Sequence, residues 1–291
     1  MNRRRATIAY LVALTAVTAW LVADRGSAMV DLVDQVQPVP LLGLVAASML
    51  PFLANTAFWT LALRELGETV TWQQVNAAAA ETTLTRYLPG GIWLAAGRGV
   101  ALARRGVSAP ALVAMVGLEV ALATPVALLV GSVLLAGSPN APAWLGWLAA
   151  GLLVVTATLA RPALNGAMAW WARRRRQLPP TALTTAGVGR LVLALAAYWA
   201  IFGSVFWAYL EVMDRSAGWL AATGGFVLSW RIGLFTVVAP QGLGVFEPAF
   251  VTLVGWSADA LLLVGAFRVV LVLRDLAITA LATVAARRWV A

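Results

Sequence analysis

The sequence predicts an all-α polytopic membrane protein with six full transmembrane helices and two re-entrant broken hairpins, arranged as an inverted repeat. Three observations carry this expectation. Of 291 residues, 62% are hydrophobic and 11% charged, with a mean hydropathy of +0.85, values that a water-soluble domain reaches only by exposing large apolar patches. The apolar runs are too long for buried strands and lack polar alternation, so they read as helices rather than as strands of an outer-membrane barrel. Two further apolar segments, in matching places of the two halves, are interrupted by Pro and Gly beside charged residues.

Met1-Asn2-Arg3-Arg4-Arg5 and the apolar run 8–23 have the form of a signal peptide, with Gly26-Ser27-Ala28 as a passable cleavage site. An uncleaved first span is preferred, because cleavage would take one helix from the bundle and spoil its symmetry. The spans 41–63, 112–135, 144–160, 191–210 and 261–284 follow, each near the ~20 residues needed to cross. The first broken segment, 75–97, contains Thr85-Arg86-Tyr87-Leu88-Pro89-Gly90-Gly91-Ile92-Trp93. The second, 219–256, contains Val238-Ala239-Pro240-Gln241-Gly242-Leu243-Gly244-Val245-Phe246-Glu247. Pro removes a backbone donor and Gly relaxes φ, leaving amides and carbonyls that hydrocarbon cannot satisfy. A kinked helix is the simpler reading of either break alone; the pair points to a transporter.

Arginine placement sets the orientation. Arg3, Arg4 and Arg5 put the amino end in the cytoplasm, and the first loop, with Asp24, Asp31 and Asp34 against Arg25, lies outside. Arg98, Arg104, Arg105, Arg161 and the run 173–176 obey the same rule only if 75–97 crosses an even number of times. That segment is too short for two full passes, so a hairpin entering from the cytoplasm is expected, mirrored by a hairpin entering from outside at 219–256. Two short tilted spans per broken segment, giving eight or more helices, remain the alternative. The result is one transmembrane domain over 1–291, with halves of about 1–136 and 143–291, in the cytoplasmic membrane with both termini inside. The Pro-Gly tips are expected to approach each other near the bilayer midplane.

Net charge +9 and pI near 11.4 could suggest nucleic acid, but the arginines cluster at span ends, where they orient a membrane protein. No nucleic-acid partner is expected. All 21 basic residues are Arg, and the chain has no Cys and no His, which removes disulfides, thiol nucleophiles and the commonest metal ligand and general base. Carboxylates alone still suit Mg²⁺. No catalytic residue, metal or cofactor is assigned, and an enzyme is not expected. Asp31 and Asp34 resemble half of an acidic metal motif, but nothing pairs with them.

Each charge inside a span costs about 2.5–3.5 kcal/mol on insertion scales, so it needs a partner or a wet cavity. The candidate substrate-binding residues are Arg86, Pro89, Gly90, Glu119, Arg231, Gly242, Gly244, Glu247 and Arg268. Internal ion pairing is an even rival to substrate contact for each charge. Arg268 and Asp275, seven apart, share a helical face that should be wet, with Arg274 about 100° away. Arg86 and Glu247 should flank the two tips with opposite charge and are candidates to pair. Arg98, Arg104 and Arg105, with Arg173, Arg174, Arg175 and Arg176, are expected to anchor loops to anionic lipid headgroups. Most of the 14 Trp read as interfacial belts, and Trp93 and Trp230 beside the breaks as packing residues.

At these residues the chain resembles the lysylphosphatidylglycerol synthase transmembrane family, also described as the flippase-like domain. The features that carry the resemblance are the two Pro-Gly motifs, Gly97-Arg98, Arg104-Arg105-Gly106-Val107-Ser108 and the acid at Glu119, over essentially the whole chain. The chain departs from the family pattern at Phe246, where an arginine often precedes the acid. The resemblance implies movement of a lipid, or of a lipid-linked polar headgroup, between leaflets. Aminoacyl transfer to lipid, which fused synthase domains perform, is expected to be absent or supplied by another polypeptide. The expected mechanism is a polar cleft between the tips, where Arg86, Arg231 and Arg268 neutralise a lipid phosphate, exposed alternately by rocking of the halves. The rivals are a membrane transferase using a polyprenyl-phosphate donor, with Glu119 or Glu247 as base, and a non-catalytic scaffold with an envelope-synthesis protein as partner.

Overall fold

A computed structural model describes residues 37–87, 93–139, 141–176, 180–215, 217–234, 244–257 and 260–288. The expected first span, 8–23, lies outside the described residues. Among those described, the structure is helices and short connections with no strand. Helices α1 (Pro38–Ala47) and α2 (Met49–Glu65) continue one another through Ser48. They are followed by α3 (Trp72–Thr82), a 3₁₀ turn (Thr83–Tyr87), α4 (Trp93–Ala103) and α5 (Ala109–Ala136). The second half contains α6 (Trp144–Arg175), α7 (Thr185–Val212), α8 (Trp219–Leu234), α9 (Phe246–Val254) and α10 (Leu261–Arg288).

Local chemistry explains the starts and stops. Thr71 and Gln74 form a capping box at the start of α3, satisfying backbone donors at both positions. Ser108 caps α5 ahead of Pro110, and Thr184 caps α7 through the Gly187 amide. Arg176 closes α6 in the left-handed conformation, and Gly255 does the same after α9.

Among the described residues, four helical runs are long and apolar enough to cross a membrane: Pro38–Glu65, Ala109–Ala136, Trp144–Arg175 and Thr185–Val212. Helix α10 has 28 residues but carries Arg268, Arg274 and Asp275 in its middle. The third of the four is longer than the span 144–160 predicts. At 32 residues it extends about 48 Å, more than a bilayer's hydrocarbon, so Arg161 and the basic run belong to the helix rather than to a loop. Within the broken segments, α3 and α4 have 11 residues each, α8 has 16 and α9 has 9. Each is short of the ~20 residues of a full crossing.

The packing order is regular. Helix α2 packs on α7; α5 packs on α8 and α7, while α10 packs on α3 and α1. Within the halves, α2 meets α3 as α7 meets α8, α3 meets α4 as α8 meets α9, and α4 meets α5 as α9 meets α10. The α5–α8 contact is a close approach of backbones. A Cβ on Gly224 would fall 2.5 Å from the Leu135 amide nitrogen, and one on Gly131 would fall 2.7 Å from Leu228, the small-residue packing that lets membrane helices touch. Next to it, Phe206, Phe226, Phe246, Phe250 and Phe267 form a buried aromatic cluster, with Phe206 and Phe226 centroids 4.8 Å apart. This cluster holds α7, α8, α9 and α10 around the second break.

Candidate functional site

Charged side chains from both halves converge inside the bundle. On α10, Asp275 is fully buried and accepts from Nε of the preceding residue, Arg274, at 2.8 Å. It also accepts from the Tyr87 hydroxyl at 2.8 Å, while Arg86 Nε stands 3.4 Å away. The 3₁₀ turn before the first break therefore docks two consecutive residues on one carboxylate. On the other side, Glu119 of α5 accepts from Asn55 Nδ2 at 3.3 Å, and Asn55 Oδ1 accepts from Arg98 Nη1 at 2.8 Å. Asn55 thus bridges a cation and an anion with its two ends, satisfying both.

Two arginines lie on indole faces. Arg98 is 4.5 Å from the Trp59 ring centroid, and Arg231 is 4.5 Å from that of Trp199. Each tryptophan, one on α2 and one on α7, lies against an arginine of a short helix, α4 or α8. Such contacts reach ~2 kcal/mol when desolvated, and both tryptophans are nearly fully buried. Tyr198, beside Trp199, is within electrostatic reach of Arg86, Arg98, Arg231, Arg274 and Glu119, so the first half's arginines and the second half's form one group around it.

A second ion pair stands at the other break. Arg268 Nε donates to Glu247 Oε1 at 3.0 Å, and the Gly244 amide donates to Glu247 Oε2 at 2.9 Å. Gly244 has φ +79°, a conformation that favours glycine, and Glu247 lies in the first turn of α9, where a carboxylate complements the helix dipole. The Arg268 guanidinium also lies 5.5 Å from the Phe246 ring and 5.7 Å from Trp230. Phe246 itself is buried in the aromatic cluster.

Of the sequence-predicted residues, Arg86, Glu119 and Arg231 lie in the central group, and Gly244, Glu247 and Arg268 form the second pair. Pro89, Gly90 and Gly242 lie outside the described residues. Three expectations are corrected. Arg86 and Glu247 do not pair with each other, because Asp275 and Arg268, both on α10, offer nearer partners. The Arg268–Asp275 face is not an open wet stripe: Asp275 is 0% exposed, with its charge met by Arg274 and Arg86. Arg98 is not a headgroup anchor, being 2% exposed between Trp59 and Asn55. Arg105, by contrast, pairs with Glu81 of α3. Helix α6 ends in the basic run, with Arg174 over the Trp170 ring at 4.7 Å.

The sequence profile of the family described as Lysylphosphatidylglycerol synthase TM region matches residues 7–282. The chain belongs to this family. Its match runs from before the first described helix to near the end of α10, so the central charged group and both breaks fall within the family's membrane region. Membership makes this a membrane protein of a lipid-related family. A search of curated proteins finds no match.

Proposed function

We propose that the chain carries a lipid, or a lipid-linked polar headgroup, between the leaflets of the cytoplasmic membrane, without catalysing a reaction. One observation carries the reading: arginines of both halves, beside both helix breaks, gather around Tyr198 inside a bundle of apolar helices. Burying guanidinium groups in such surroundings is costly unless they serve a polar occupant or each other. The headgroup would sit among them while its tails stay in the bilayer, each broken segment lending backbone that a continuous helix would have used internally.

An inverted-repeat layout, with halves of about 1–136 and 143–291, supports the reading. It accounts for much of the packing order, in which the successive contacts from α2 to α5 recur from α7 to α10. Re-entrant hairpins account for the shortness of α3, α4, α8 and α9. In this arrangement both termini face the cytoplasm, and the basic run at the end of α6 lies against anionic headgroups, about 1 kcal/mol per arginine near the surface.

The test is leaflet exchange of a fluorescent anionic phospholipid in proteoliposomes. Exchange by the wild type, reduced in Arg231→Gln and in Glu247→Ala, is expected. Exchange in both variants equal to that of the wild type would refute the site, and none in the wild type would refute translocation.

A further inference from the structure

Among the described residues, the central group is not electrically balanced. Its cations are Arg86, Arg98, Arg231 and Arg274, and its anions are Glu119 and Asp275. Each carboxylate serves two arginines. Asp275 has Arg274 at 2.7 Å and Arg86 at 3.4 Å, and Glu119 lies within electrostatic reach of both Arg98 and Arg231. Each threesome carries a formal charge of +1, and the two meet around Tyr198, giving an excess of two positive charges in the group. The stretches that adjoin it in sequence at the breaks, 88–92 and 235–243, contain no charged residue to offset this. The Arg268–Glu247 pair is neutral and leaves the sum unchanged.

Arg231 is the member with most to give. It lies over the Trp199 ring at 4.5 Å, and among the described residues no carboxylate bonds it. Among the described residues its Nε is buried without a hydrogen-bond partner, and that of Arg86 has only the long Asp275 contact. Tyr198 is only partly buried and packs by its ring on Trp199 at 4.8 Å. It is within electrostatic reach of the same arginines. Buried polar groups are ordinarily paired, and a doubly charged anion would pair these.

We infer that the central group is a site for a phosphomonoester dianion borne on a lipid, held by Arg231, Arg86 and the Tyr198 hydroxyl and matched to the group's two excess charges. This rests on the lipid-carrier reading and narrows it. A phosphomonoester presents three terminal oxygens and up to two charges, whereas a phosphodiester headgroup presents two oxygens and one charge. A cationic or zwitterionic headgroup would leave the excess uncorrected.

The experiment compares short-chain phosphatidic acid, phosphatidylglycerol, phosphatidylcholine and inorganic phosphate as ligands of the purified full-length protein, alongside exchange of labelled phosphatidic acid in vesicles. Phosphatidic acid should bind on the order of tenfold more tightly than phosphatidylglycerol, the value of one further charge-assisted hydrogen bond. Arg231→Gln should bring the two to near parity. Tyr198→Phe, which keeps the ring contacts, should weaken phosphatidic acid severalfold with an unchanged melting temperature, and it remains informative if the arginine variant misfolds. Equal affinity for both lipids would overturn the inference while leaving translocation intact wherever exchange persists. Inorganic phosphate binding as tightly as phosphatidic acid would overturn the lipid source. Selective binding without exchange of any lipid would uphold the site and remove the carrier reading.

Discussion

Tyr87 donates its hydroxyl to Asp275 across 188 residues of sequence, at 2.8 Å, tying the turn before the first helix break to the middle of the last helix. Asp275 is also where two arginines share one carboxylate, so this bond stands where the 3₁₀ turn meets the charged group.

Tyr87→Phe removes one hydrogen bond to a buried carboxylate and should lower stability by about 1–2 kcal/mol. Asp275→Asn leaves Arg274 and Arg86 without their counter-charge and should lower it by roughly 3–5 kcal/mol. Thermal unfolding of the detergent-purified protein ranks the two; an aspartate change milder than the tyrosine change would deny Asp275 its role as anchor.

Glu247 and Arg268 are both largely buried, with side chains 10% and 15% exposed. Glu247→Gln alone should therefore be more damaging than the double change Glu247→Gln with Arg268→Gln, because the single variant strands a cation. A double-mutant cycle on melting temperature measures this, and additive losses would contradict it.

Gly224→Ala pushes a methyl group toward the Leu135 amide across the α5–α8 contact. The helices cannot part without disturbing the aromatic cluster beside them, so a loss of about 1–3 kcal/mol is expected. Gly146→Ala, where nothing lies within 4 Å of the added atom, is the matched control and should be neutral within about 0.5 kcal/mol.

Topology is open to chemistry because the chain has no cysteine. Ser108 and Ser257 are both exposed. With cysteine at one position at a time, labelling of 108 from the cytoplasm alone and of 257 from outside alone is expected. Reversal at either position would end the inverted-repeat layout.

Much of the helical order was readable from apolar run length, whereas the Pro-Gly stretches lie outside the described residues. What was not readable depended on distance in sequence. Arg98 looks like an interfacial residue because Arg104 and Arg105 follow it; only the fold shows Trp59 and Asn55 closing over it. Trp59 and Trp199 lie well inside long apolar runs, a place that marks them as candidates to carry something polar. Tyr198 gave no sign at all, since one tyrosine in an apolar helix reads as packing. The partner choices of Arg86 and Glu247 were misread because α10, which supplies both partners, lies far along the chain.

The most direct measurement is a cryo-EM structure of the full chain in nanodiscs rich in phosphatidic acid. The account predicts a headgroup phosphate within hydrogen-bonding distance of Arg231 and Tyr198, between the two halves. Lipid density confined to the outer surface, with Arg231 instead joined to a carboxylate of its own chain, would contradict it.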